Sequence, residues 1–185
     1  MLINILKRAV GMLLSPNTEW LTVKNEPIYD HAEIVRDFAL PIVFVSIFIM
    51  LSLIGVSKQG VLFAIAAFVL TFLNLTLTSG LLLQVSRRFD SSVDMVASTK
   101  LVVFSSIPFW LSLTFLSTHF LAFLAGLLGT GYSIVLAKVG LPTMFSPAKE
   151  EKNKLFGLSA LAILFVNFIT LSILIAIKRL VLPTD

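Results

Sequence analysis

Long uncharged runs separated by short charged segments set the rhythm of this chain. Residues 38–57 lie between Asp37 and Lys58, 60–86 between Lys58 and Arg87, and 155–177 between Lys154 and Lys178. A membrane-crossing helix needs about 20 apolar residues, so each run predicts one crossing. Residues 101–137 are uncharged too. As one helix they would measure about 55 Å, against a hydrocarbon core of about 30 Å. The polar triplet Ser117-Thr118-His119 divides them into crossings at 101–117 and 120–137, joined by a tight turn. The pattern predicts an all-α polytopic membrane protein: one domain over 1–185 with five spans, and 1–37 as a cytoplasmic or interfacial segment.

Basic residues give the orientation. With five spans, one side holds 11 of the 14 Lys and Arg residues: Lys7, Arg8, Lys24, Arg36, Arg87, Arg88, Lys100, Lys138, Lys149, Lys152 and Lys154. Lys58, Lys178 and Arg179 remain on the other. Treating 101–137 as one span would divide them less cleanly, nine to five. The positive-inside rule then puts the N-terminus in the cytoplasm and the C-terminus on the opposite side. The basic pI near 9.6 is accounted for by topology, and no nucleic-acid partner is expected.

Composition sharpens the picture. Apolar residues make up 57% of the 185, charged residues only 13%, and mean hydropathy is +0.99. A soluble domain carries about 25% charged residues. There is no cysteine, which excludes a disulfide scaffold, a cysteine-ligated zinc site and a cysteine nucleophile.

Ahead of the first span, Asn4, Lys7, Arg8, Gly11 and Ser15 fall within one arc of about 100° on a helical wheel, and apolar residues fill the rest. That is an amphipathic helix, either lying in the membrane interface or packed against the bundle. No signal-peptide cleavage site is evident in it. Pro16 ends it, and Trp20 reads as an interfacial anchor. With Lys7, Arg8, Arg87 and Arg88, Trp20 is expected to contact membrane lipids. A further short amphipathic helix is expected from Asp90 to Thr99, capped by Asp90 or Ser91. The loop 138–154 is expected to lie at the interface in its apolar first half, with its charged second half a solvated turn or the start of the last helix.

No ionisable residue lies deep in a span, which argues against a proton relay or ion-coupled transporter. Uncharged polar residues do occur. Thr71, Asn74 and Thr78 share a face of the second span, and Asn167 and Thr170 a face of the fifth. They are expected to join helices by hydrogen bonds or, alternatively, to line a pathway. Pro108, beside Ser105 and Ser106, is expected to act in packing of the third span. Gly126, Gly129 and Gly131 predict close helix approach in the fourth.

Catalytic patterns are missing: there is no nucleophile elbow, no His-Glu-x-x-His and no phosphate-binding loop. Asp30, His31, Glu33 and Asp37 lack a metal-ligand spacing and read as a solvated face, so no metal and no cofactor are expected.

Several short motifs run in order along the chain: Leu14-Ser15-Pro16, Trp20, Glu26-Pro27, Leu40-Pro41, Ser106-Ile107-Pro108, Tyr132-Ser133 and Lys138-Val139-Gly140-Leu141-Pro142. With these the chain resembles the Yip1-domain family in its compact bacterial form. The resemblance implies five spans with a cytoplasmic N-terminus, a bacterial cytoplasmic (inner) membrane and a non-enzymatic role in membrane organisation or trafficking. It lacks the long cytoplasmic N-terminal region of the family's eukaryotic members. The leading expectation is a membrane scaffold or interaction protein, partnered by lipids and by itself or another membrane protein. The alternatives are a passive channel, transporter or lipid pathway through spans two and five, and lipid chemistry at the Asp30–Asp37 cluster.

Overall fold

The computed structural model describes residues 2–27, 30–89, 93–117 and 119–182, and among them every regular element is helical. Helices α1 (Leu2–Leu14) and α2 (Pro16–Asn25) meet at Ser15, whose φ/ψ of −140°/58° breaks the helix. The pair folds back on itself, so that Arg8 reaches Glu26 across 18 positions of sequence. Helix α3 (His31–Ile34), a π-helical turn (Val35–Ala39) and α4 (Leu40–Ile54) form one continuous rod. Pro41 explains the wide turn. It has no N–H to offer the carbonyl four residues back, and the Leu40 N–H instead reaches five residues back to Val35 O. Gly55, at φ +99°, turns the chain into α5 (Lys58–Arg87).

The segment expected as the third crossing is built in pieces: α6 (Met95–Ser105), α7 (Ile107–Ser112) and a 3₁₀ turn (Leu113–Ser117). Pro108 causes the break. Its ring is tolerated in the first turn of a new helix and not inside an old one, so α6 stops and α7 departs at 41°. Helices α8 (His119–Phe145) and α9 (Lys152–Val181) complete the bundle. Among the described residues four helical segments are long and apolar enough to cross a membrane, and the bent pair Met95–Ser105 and Ile107–Ser117 brings the number to five when it is taken as one span. The expected polytopic all-α architecture is therefore what forms.

Helix α5 packs against α4, α6 and α9, while α8 packs against α6, α7, α9 and α2. Glycines set two of the close approaches. A side chain at Gly129 would meet the Pro108 carbonyl oxygen at 2.8 Å, and one at Gly126 would meet Leu171 at 2.6 Å. Gly131, grouped with them from the sequence, faces open space instead. Outward positions carry Phe44, Phe48, Leu73, Leu77, Leu128, Phe165 and Phe168, all exposed. An apolar surface this extensive is stable in lipid and an aggregation liability in water.

Two local expectations need correction. The sixth helix is not a separate surface helix from Asp90 to Thr99. Asp90 and Ser91 lie outside the described residues, and Asp94 is the N-cap, accepting from the Ala97 N–H at 2.7 Å. From there the helix runs directly into the third crossing. Nor is 138–145 a loop: α8 continues through Pro142 to Phe145, and the chain turns at Ser146.

Candidate functional site

The residues that do most to distinguish this molecule from a plain bundle hold the α1–α2 pair in place. Tyr132, Leu136 and Gly140 recur every four positions, which sets them in one stripe of α8. Each receives part of the N-terminal segment. The Tyr132 hydroxyl donates to Leu13 O at 2.5 Å, where α1 ends. Trp20 Nε1 donates to Leu136 O at 3.1 Å. The Trp20 ring lies on Gly140, where a Cβ would stand 2.5 Å from Cζ2. The indole also meets Phe104 of α6 edge-on, at 6.2 Å between centroids.

The far end of α2 is held by Lys100. Its ammonium donates to Val23 O at 3.0 Å and Glu26 O at 2.9 Å, and the residue is 5% exposed. The last carbonyls of a helix lack intrahelical partners and carry the negative end of its dipole, so a buried cation is well matched to them. Arg8 closes the pair from α1. Its Nη1 donates to both carboxylate oxygens of Glu26 at 2.6 Å, and Nε lies 3.8 Å from Glu19. The same guanidinium sits 5.8 Å from the Phe104 centroid.

Fixed this way, α1 shows three sides. Ile5, Ala9 and Met12 are buried against the protein. Asn4, Lys7, Arg8 and Gly11 form the polar arc. Between them runs an outward apolar stripe of Ile3, Leu6, Val10 and Leu14, between 43% and 79% exposed. Lys7, also exposed, borders that stripe.

A cavity of about 420 Å³ opens where α1, the end of α2, α3 and α6 converge. Ile5, Ile34, Phe38 and Phe104 give it an apolar lining, and Arg8, Glu26, Glu33 and Asp37 give it charge. Phe38 and Phe104 pack at 4.3 Å between centroids.

Deeper in the bundle, the polar residues expected on spans two and five meet. Asn74 Nδ2 donates to Asn167 Oδ1 at 3.0 Å and to Thr170 Oγ1 at 2.9 Å. Asn167 Nδ2 in turn reaches Thr130 Oγ1 at 3.5 Å. Thr71 donates to its own helix, at Ala67 O, and the Thr78 hydroxyl has no partner among the described residues. Thr71, Asn74, Thr78, Asn167 and Thr170 are each at most 5% exposed. Pro108 is buried at the α6–α7 break against Gly129.

Two of the expected lipid contacts are corrected. Trp20 is 0% exposed. It is the one large aromatic of a short polar helix, and Gly140 leaves room for its ring. Arg8 is turned inward to Glu26 and Glu19. Lys7, Arg87 and Arg88 are exposed. The acidic cluster does not gather: Asp30 pairs with His31 and Asp37 with Arg36, and no three potential metal ligands converge among the described residues.

Lys100, Tyr132, Gly140 and Thr130 were not singled out for these roles by sequence reasoning. The four-residue spacing of Tyr132, Leu136 and Gly140 is the signal that was available. Lys178 is a further case: buried, it donates to Ser117 O at 2.9 Å at the opposite end of the bundle.

The family model described as the Yip1 domain matches residues 10–171, most of the chain, and contains Trp20, Glu26, Lys100, Tyr132 and Gly140. No curated protein and no solved structure gives a significant match.

Proposed function

The chain belongs to the Yip1 domain family, and from that premise we propose that it is a non-catalytic scaffold of the membrane, working through a helix seated in the cytoplasmic leaflet. The observation that carries this is the two-sided apolar surface of α1. One stripe is fixed to the bundle and the other, Ile3, Leu6, Val10 and Leu14, faces outward. A helix of this kind buries its outer stripe at the headgroup–acyl boundary and sets its cations toward phosphate, a place that suits Lys7. The distribution of Lys and Arg supports a cytoplasmic N-terminus with the C-terminus on the other side, and the resemblance to the compact bacterial form of the family supports a bacterial inner membrane. The outward faces of α4, α5, α8 and α9 serve contact with lipid, with further copies of the chain or with other membrane proteins. The Asn74–Asn167–Thr170 bonds support packing over a conducting pathway, because the polar groups are turned to each other.

A helix laid into one leaflet is sensitive to curvature. The test is to reconstitute labelled protein in giant vesicles and pull a narrow tube. The wild type should be enriched on the tube relative to the flat membrane. Leu6→Ser with Val10→Ser should lose that enrichment. Equal partitioning of both proteins would overturn the proposal.

A further inference from the structure

We infer that the cavity between α1 and α3 seats the headgroup of a zwitterionic phospholipid, with its ammonium on Glu33 and its acyl chains along the outer face of α4. The inference deepens the leaflet reading above and rests on it. Position comes first. The rod His31–Ile54 has 24 residues, and about 20 of them fill the hydrocarbon core. Counting back from Ile54 places residues 33–37 at the cytoplasmic edge of that core, where headgroups lie.

Charge selects the ligand. Arg8 and Glu26 neutralise each other in the cavity wall, and Asp37 is held by Arg36 at 2.6 Å. Glu33, half-buried, forms no ion pair among the described residues. Arg36 feels its charge but is hydrogen-bonded to Asp37 instead, so the wall keeps a carboxylate with no bonded cation above the apolar floor of Phe38 and Phe104. A small cation complements it and an anionic headgroup does not.

Shape selects a lipid over a free amine. Below Asp37, Leu40, Phe44 and Phe48 continue down α4 at three- and four-residue spacing, which keeps them on one side. All three are exposed, and the Phe44 and Phe48 rings stack at 6.4 Å. They form an apolar track leading from the cavity into the leaflet.

The experiment uses the full chain in nanodiscs of equal parts phosphatidylethanolamine and phosphatidylglycerol. The protein is released into detergent, and the tightly retained lipid is identified by native mass spectrometry. The chain's net charge of +4 would by itself favour the anionic lipid, so the expected result runs against it. The wild type should retain phosphatidylethanolamine by about threefold over the bulk ratio, the scale of one partly exposed ion pair. Glu33→Gln should abolish the preference, while Glu150→Gln, in the α8–α9 connection, should leave it intact. Retention at the bulk ratio, or preference for phosphatidylglycerol, would overturn the inference. So would displacement of the lipid by millimolar O-phosphoethanolamine, which would mark a site for free amines. A probe attached at Val10→Cys in the same nanodiscs keeps the two readings apart. If it lies in acyl chains and the lipid preference is absent, only the headgroup inference falls. If it lies in water, the leaflet reading falls and this inference with it.

Discussion

Replacing Gly140 by alanine adds one methyl group, and it should detach the N-terminal pair from the bundle. The new Cβ would stand 2.5 Å from Trp20 Cζ2 and 2.7 Å from Cδ2, where carbon atoms prefer about 3.5–4.0 Å. The indole is fully buried between α2, α6 and α8, so it has to move by an ångström or more. That movement breaks the Nε1 bond to Leu136 O. Leaving a buried donor unpaired costs about 1–3 kcal/mol, and overpacking adds about 1–3 kcal/mol. The total is about 2–6 kcal/mol. Trp20 is its own reporter once the second tryptophan is removed in a Trp110→Phe background. In nanodiscs, Gly140→Ala should red-shift Trp20 emission, increase quenching by acrylamide and lower the thermal midpoint. Gly131→Ala is the control. Nothing lies within 4 Å of a Cβ there, so the change should be neutral or stabilising by up to about 1 kcal/mol, the helix propensity gained. Unchanged Trp20 emission with stability within about 0.5 kcal/mol of wild type would refute the reasoning.

Three further outcomes are expected. Asn74→Leu removes both donors to Asn167 and Thr170, and at about 0.6 kcal/mol per interhelical bond it should destabilise the bundle by about 1–2 kcal/mol in thermal melts; an unaltered midpoint would show that the network contributes nothing. Lys100→Met orphans Val23 O and Glu26 O. The loss is worth about 1–3 kcal/mol and should appear as faster amide exchange confined to α2 and the residues just after it; exchange identical to wild type would contradict the anchoring role. The chain has no native cysteine, so single cysteines report topology directly. Ser57→Cys should react with an impermeant maleimide added outside intact cells, and Lys149→Cys only after permeabilisation; the reverse pattern would invert the orientation.

The long apolar helices were legible because a bilayer fixes how long an uncharged run must be, and charges mark where each run ends. Asn74, Asn167 and Thr170 were legible as facing residues because helical periodicity alone brings them to one side of each helix. Trp20 was misplaced for a physical reason. A tryptophan near a membrane is ambivalent: its ring suits either the interface or a core with a partner for Nε1. Only Gly140, 120 positions later, decides between them, by having no side chain under the ring. Lys100 was counted only among the basic residues of the cytoplasmic side because it sits just before an uncharged run. Its partners are backbone carbonyls of α2, and carbonyls leave no mark in a sequence. Arg8 turned inward because Glu26 returns to it through the fold of the α1–α2 pair, a contact that no helical wheel contains.

The most direct test of the leaflet-seated helix is a depth scan of α1 itself. Nitroxide labels at single cysteines replacing Ile3, Leu6, Val10 and Leu14, with one replacing Asn4, would be compared in nanodiscs for collision with oxygen and with a water-soluble nickel chelate. The four apolar positions should be oxygen-accessible and shielded from nickel, and Asn4 should show the opposite. Nickel accessibility at all five positions would place α1 in water and contradict the proposed function at its base.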